Sequence, residues 1–217
     1  KVGSKKADLE FLYDAMGNRI AKIVKCKNAN GEIEGSNLWT TTFYIRDAQG
    51  NVMATYVEEH QMTGNRIAFT LTEQPIYGSS RIGVYNANKL LWRSDIAIIG
   101  EDNKLHLGKK QYELTNHLGN VLTTISDRKI PHFTNGAFDY YQADIISSTD
   151  YYAFGMEMPG RAFNSNSYRY GFNGKEKDGE ISEGDLDFGA RIYDSKIARW
   201  LSPDPKESKY PSWSTYA

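Results

Sequence analysis

Two aspartates near the end of this 217-residue chain sit in a setting suited to carboxylate chemistry. Asp194 and Asp204 lie ten positions apart in Leu186-Asp-Phe-Gly-Ala-Arg-Ile-Tyr-Asp-Ser-Lys-Ile-Ala-Arg-Trp-Leu-Ser-Pro-Asp-Pro205. Asp204 stands between Pro203 and Pro205, where proline pins the backbone at φ of about −65° and keeps it out of a helix interior. Two carboxylates held within hydrogen-bond reach do not both ionise. One keeps a proton and serves as an acid, and the other activates water. Arg191 and Arg199 are the cations that would bias which aspartate stays charged. The same residues also suit a structural role, with Asp194 capping a turn and Asp204 ordering a bend or pairing with Arg191 or Arg199.

Other reactive residue types carry less. His60, His106, His117 and His132 have no metal-ligand spacing. The acidic stretch 175–187 starts like a calcium loop at Asp178, Glu180 and Ser182. Glu183 then stands where that loop needs glycine, and Gly189 where it needs a bidentate glutamate, so the stretch reads as a solvated loop. Cys26, the single cysteine, lies between Lys25 and Lys27 and reads as a strand residue, which excludes an internal disulfide framework. Asn18, Asn51 and Asn120 each follow a glycine at one fixed place, as turn residues do. The tyrosine-rich composition suits core and cross-strand pairs better than a sugar-stacking surface. The sequence calls for no cofactor and no metal.

The elements that position these residues are strands. Leu9, Phe11 and Tyr13 alternate at period two into Asp14-Ala-Met-Gly17-Asn18, a tight turn, and Arg19 to Val24 returns. Trp39, Thr41, Phe43 and Ile45 run into Asp47-Ala-Gln-Gly50-Asn51, with Val52, Ala54 and Tyr56 beyond. Tyr112 and Leu114 run into Asn116-His-Leu-Gly119-Asn120, followed by Val121, Thr123 and Ile125. Ser80-Arg-Ile-Gly83 reads as a degenerate copy. Gly17, Gly50, Gly83, Gly119, Gly155 and Gly189 recur at about 33 to 36 residues, a period that marks a repeat architecture. Residues 28–37 read as a polar loop and 128–150 as an insertion loop.

Chain length allows one large domain or two small ones with a real core. Aromatic enrichment with few prolines favours β-structure. A net charge of −1 with dispersed Lys and Arg gives no electrostatic ground for nucleic acid, and no apolar run is long enough for a membrane helix. A start at Lys1-Val2 and a stop just after an aromatic run lead us to expect a piece of something longer.

The stretch 186–205 resembles the signature that ends the core domain of RHS (rearrangement hotspot) proteins, roughly Arg-x-Tyr-Asp-x-x-x-Gly-Arg-Phe-x-Ser-x-Asp-Pro. Arg191, Tyr193, Asp194, Arg199, Trp200, Ser202, Asp204 and Pro205 match it or match it conservatively. Tyr13-Asp14-Ala-Met-Gly17-Asn18-Arg19 resembles the family's YD repeat, and Tyr168-Arg-Tyr-Gly-Phe-Asn-Gly-Lys-Glu-Lys-Asp178 the segment before the terminal signature. The resemblance runs from about residue 9 to 216. It implies an all-β fold of repeated antiparallel β-hairpins curving into part of a β-sheet spiral shell. Residues 1–185 would be the hairpin repeats, and 186–217 the terminal signature and plug.

For function, the resemblance implies a secreted or cell-surface toxin carrier used in competition between bacteria. Its shell would enclose its own C-terminal effector and meet secretion-system components. Asp204, helped by Asp194, would cut the chain once, near Tyr216 and Ala217. A shell serving adhesion, without catalysis, is the alternative. The chain departs from autocleaving relatives in two places. No glycine follows Asp204 between Lys206 and Ala217, and Ala198 stands where the family tends to have glycine.

Overall fold

A computed structural model describes residues 6–61, 66–97, 106–164, 168–179, 184–204 and 207–209. Among these residues the regular elements are fourteen strands and three single-turn 3-10 segments, as the period-two patterns predict. Ten strands form one sheet in which every strand neighbours the next in sequence: β1 (Asp8–Tyr13), β2 (Arg19–Lys25), β3 (Thr40–Arg46), β4 (Val52–Gln61), β5 (Arg66–Tyr77), β6 (Arg81–Arg93), β7 (Lys110–Thr115), β8 (Val121–Thr134), β9 (Ala137–Tyr151) and β10 (Glu157–Asn164). Four short strands form a second sheet: β11 (Glu176–Lys177), β12 (Asp185–Asp187), β13 (Ile192–Asp194) and β14 (Arg199–Trp200). The boundary expected at 185/186 falls inside β12.

The hairpins are closed by one local device. In the turn from Asp14 to Asn18, the Asp14 N–H donates to the Asn18 carbonyl at 2.9 Å and the Gly17 N–H to the Asp14 carbonyl at 3.1 Å. The Asp14 carboxylate accepts from the Met16 and Asn18 N–H groups and from the Asn18 side-chain amide. Gly17 takes φ +84, a left-handed conformation that costs glycine nothing. Asp47 to Asn51 repeats every one of these bonds. Asn116 to Asn120 repeats the bonds made by main-chain N–H groups, with an amide oxygen in place of the carboxylate. The strand register shifts by one residue at Leu12/Tyr13, Ile45/Arg46 and Leu114/Thr115, beside each turn. Such a bulge follows from inserting one left-handed residue into a hairpin loop.

These turn carboxylates respond to acid. The hydrogen bond from the Asn18 side chain, with backbone N–H bonds behind it, holds the Asp14 carboxyl below its ordinary range, and Asn51 does the same for Asp47. A carboxyl lowered on folding adds stability that is present above its unfolded pKa and is lost as pH falls through the folded value. The double variant Asp14→Asn/Asp47→Asn should therefore melt below the parent at pH 7, where both carboxylates contribute. It should lose less melting temperature than the parent below about pH 4. Thermal scans across that range check this, and position 116 shows that asparagine closes the same turn.

The chain folds as two compact units, Lys1–Pro75 with Tyr85–Leu105 and Ile76–Val84 with His106–Ala217. In the first, Ala21, Tyr44, Ala54 and Ala68 are buried, Tyr56 stacks on Phe69 at 5.5 Å, and the guanidinium of fully buried Arg19 lies 4.0 Å over the Phe11 ring. The centre of the second is Val84, Val121, Tyr168 and Tyr170.

Three local readings change. Gly83 is not a turn residue, because the chain turns at Gly78 to Ser80 and Gly83 lies within β6. Residues 128–150 belong to the long β8–β9 hairpin, which turns at Asn135 (φ 51) and Gly136 (φ 80), so they are not an insertion loop. The acidic stretch is not wholly solvated, since Asp178 and Asp185 are fully buried where β11 and β12 pair.

Candidate functional site

The candidate residues Asp194 and Arg199 lie in the second sheet. Asp185, Leu186 and Asp187 of β12 lie opposite Asp194, Tyr193 and Ile192 of β13, and Tyr193 and Asp194 lie opposite Trp200 and Arg199 of β14. Three rings lock this small sheet: Phe188, Tyr193 and Trp200 meet edge to face at 5.7, 5.1 and 5.2 Å. The Tyr193 hydroxyl donates to the Phe154 carbonyl at 3.0 Å. Burial, with the Asp194 charge behind it, raises the Tyr193 phenol above its ordinary range.

The Asp204 carboxylate accepts from the Arg191 guanidinium at 3.1 Å, and that guanidinium also covers the Trp200 ring at 4.2 Å. The Asp204 carbonyl accepts from the Glu207 N–H at 2.9 Å, which closes the bend after Pro203. Asp194 accepts from the Lys196 and Ile197 N–H groups at 2.8 and 3.3 Å and so opens the turn to β14. Arg199 is exposed and faces Asp194 across the ladder. The sequence-predicted residues thus gather in two pairs, Arg191 with Asp204 and Asp194 with Arg199. Pro205 and the expected cleavage region at Tyr216 and Ala217 lie outside the described residues.

Ala198 closes the β13–β14 turn at φ 55, a left-handed conformation that glycine adopts at lower cost. Ala198→Gly should stabilise the protein by about 1 kcal/mol, because the left-handed penalty for a Cβ is of order 1–2 kcal/mol and glycine's extra unfolded-state entropy offsets part of it. Urea denaturation measures the gain.

Sequence reasoning missed two groups of buried charge. Asp178 and Asp185 are fully buried beside the candidate pair, the Asp178 N–H donates to the Asp185 carbonyl at 2.8 Å, and Asp185 is the cross-strand neighbour of Asp194. The Asp185-Leu-Asp-Phe188 alternation was the available signal. The second group lies elsewhere in the same unit. Arg81 Nε and Nη2 reach Glu113 Oε1 at 3.0 and 2.9 Å, Nη2 donates to the Gly174 carbonyl at 2.7 Å, and the guanidinium lies 3.6 Å over the Tyr170 ring. The Tyr168 hydroxyl donates to the same Glu113 oxygen at 2.7 Å. Burial and then the Glu113 charge raise the Tyr168 phenol far above its ordinary range, so it stays a donor. Among the described residues, no three His, Cys, Asp or Glu side chains gather as a metal cage, and no helix is long and apolar enough to cross a membrane.

No known family profile matches the chain. It is 25% identical over 223 residues to salivary gland surface protein 1 of Aedes aegypti, covering 100% of this chain and 5% of that protein. The crystal structure of TcdB2-TccC3-TEV superposes with a TM-score of 0.54 at 20% identity over 94% of this chain and 8% of that one. TcdB2-TccC3 without its hypervariable C-terminal region gives 0.47 at 17% identity, over 93% and 9%. The first of these structures shows the fold: a stepwise antiparallel sheet shared with one part of a much longer chain. This chain spans only a small fraction of each protein it resembles.

Proposed function

We propose that this chain is one stretch of an RHS-type shell wall that encloses a polypeptide carried by the same parent chain. The observation that carries the reading is the sheet itself. Ten strands follow one another in sequence order, three of the hairpins closed by the same Asx–Gly–Asn turn, and the array superposes on TcdB2-TccC3-TEV. Such an array extends by adding hairpins, because each unit buries its face mainly against its neighbours. In this reading residues 1–185 are wall, 186–217 form the plug, and the parent acts outside the cell that makes it. A toxin effector is the cargo, and secretion-system components are further partners.

The plug carries a single self-hydrolysis in the same proposal. Asp204, with the Arg191 guanidinium bonded to its carboxylate, takes a proton from water. The hydroxide adds to the carbonyl carbon of a peptide bond near Tyr216 and Ala217. The proton taken by Asp204 passes to the leaving amide nitrogen as the C–N bond breaks, with Asp194 assisting the transfer. Arg199 lies opposite Asp194 across the ladder. Holding the scissile strand beside the pair would supply much of the rate as effective concentration. Intact mass of the parent protein tests this. The wild type should appear as two fragments, and Asp204→Asn as one uncut chain. Cutting that survives the substitution, or an uncut folded wild type, makes the region a structural plug.

An adhesion shell without catalysis is the second reading, favoured by one observation. The Aedes aegypti relative, aligned over this whole chain, is by name a surface protein. An uncut parent with further repeats beyond Ala217 would fit it.

A further inference from the structure

The long β8–β9 hairpin outruns the strands on both sides of it. β7 accompanies β8 only as far as Ser126, and β10 accompanies β9 only from Ser147 onward. Between Lys129 and Ala143 the two strands pair only with each other among the described residues. A two-stranded ribbon is marginal in water and gains stability from a third strand or a packed face.

This arm has one aromatic face. Phe133 lies opposite Phe138 and Pro131 opposite Tyr141, with ring centroids 6.2 Å apart for Phe133–Phe138 and 4.8 Å for Phe138–Tyr141. Phe133, Phe138 and Tyr141 are 58%, 52% and 59% exposed. The other face is mixed: Thr134 donates to Asp139, the Gln142 amide to the Tyr140 hydroxyl, and His132 stacks on Tyr140, with Ile130 also exposed there.

The two edges differ as well. Proline has no N–H, so Pro131 fits this ladder only at a non-hydrogen-bonded pair, which turns the N–H and C=O of its partner Tyr141 toward the open β9 edge. Pro131 blunts the β8 edge, with Arg128 and Lys129 beside it. Residues 137–143 contain neither proline nor a basic residue, and the same edge already carries β10 farther along.

We propose that this β9 edge pairs antiparallel with the same edge of a second copy of the chain, about a two-fold axis at Tyr141. The register is self-complementary. Tyr141 exchanges both main-chain hydrogen bonds with its copy, Tyr140 faces Gln142, and Asp139 faces Ala143, so no like charges oppose. The aromatic faces of the two arms become continuous across the axis. An aromatic side chain offers about 150–250 Å², so three that are half exposed bring roughly 300 Å² to each side. That is well below the ~800 Å² per partner of a standard interface, so the dimer is a weak one.

Sedimentation equilibrium of the full chain across the micromolar range tests this beside three variants. Tyr141→Pro removes one outward donor and leaves the β8–β9 ladder intact. Phe138→Lys sets two charges on the joined aromatic face. Ile130→Lys places a charge of the same kind on the opposite face. The expected result is a monomer–dimer equilibrium for the wild type and for Ile130→Lys. Tyr141→Pro and Phe138→Lys should dimerise at least about tenfold more weakly with unchanged circular dichroism. If Tyr141→Pro misfolds, Phe138→Lys decides. A wild type that stays monomeric, a dimer indifferent to Phe138→Lys, or equal weakening by Ile130→Lys overturns the proposal. So does occupation of this edge by another partner that leaves the chain monomeric.

Discussion

Replacing Arg81 with methionine should destabilise the protein by about 3–5 kcal/mol, the cost of leaving one partner of a buried ion pair uncompensated. Glu113 keeps only 2% of its side-chain surface in water, and Arg81 keeps 16%. Without the guanidinium, the Glu113 carboxylate retains only the Tyr168 hydroxyl at 2.7 Å, and the Gly174 carbonyl loses its donor. Arg81→Lys should recover part of the loss. An ammonium restores the charge but cannot reach Glu113 and the Gly174 carbonyl while lying flat on Tyr170. The double variant Arg81→Met/Glu113→Leu should be much more stable than either single variant, since an apolar pair of similar volume carries no desolvation penalty. Urea denaturation of the four proteins gives the coupling energy. The alkaline limb is a second readout. A phenol raised on folding lends stability that is complete below its unfolded pKa and declines as pH climbs past it, so the parent should weaken above about pH 10. Tyr168→Phe should weaken less there.

Gly83→Ala should cost about 1–3 kcal/mol or more, through steric overlap and not through backbone conformation. A Cβ at this position would press on the Gln111 carbonyl oxygen, well inside van der Waals contact, and stand 3.1 Å from the Tyr112 Cα. Both atoms are backbone and cannot rotate away, so β6 and β7 would have to separate. Gly119→Ala separates the two causes. Nothing lies within 4 Å of its Cβ, but its φ of +79 makes the substitution a matter of left-handed strain alone, about 1–2 kcal/mol. A smaller loss at Gly83 than at Gly119 would contradict this account of the close approach.

The turns show how far the sequence reaches and where it stops. Asp14, Asp47 and Asn116 are legible because an Asx side chain and a glycine three residues later build the turn from local bonds alone. Asn28 to Glu32 uses the same bonds and passes for an unstructured loop only because its flanking residues do not alternate. The turns that start at Tyr152 and Gly171 have the same backbone bonds without the Asx side chain, so only the place of Gly155 in the glycine series marks the first, and nothing comparable marks the second. Gly83 falls in the glycine series by spacing, yet its reason is a neighbouring strand, which only tertiary structure supplies. The arm has the Asn135-Gly136 pair of a tight hairpin, and Pro131 obscured it. In the candidate site, the Arg191–Asp204 pair and the Asp194 turn are both among the local readings the sequence allows. The burial of Asp178, Asp185 and Glu113 is not, because a charged residue reads as surface until the strands that cover it are known.

Enclosure of a polypeptide by the wall is the central claim, and protease accessibility of the native parent chain tests it most directly. A specific protease site is placed in the segment downstream of Ala217, and a second in the exposed β8–β9 turn at Asn135. The account predicts rapid cutting at the turn, and resistance of the downstream site until denaturant opens the wall. A downstream site cut as fast as the turn in the folded parent would contradict it.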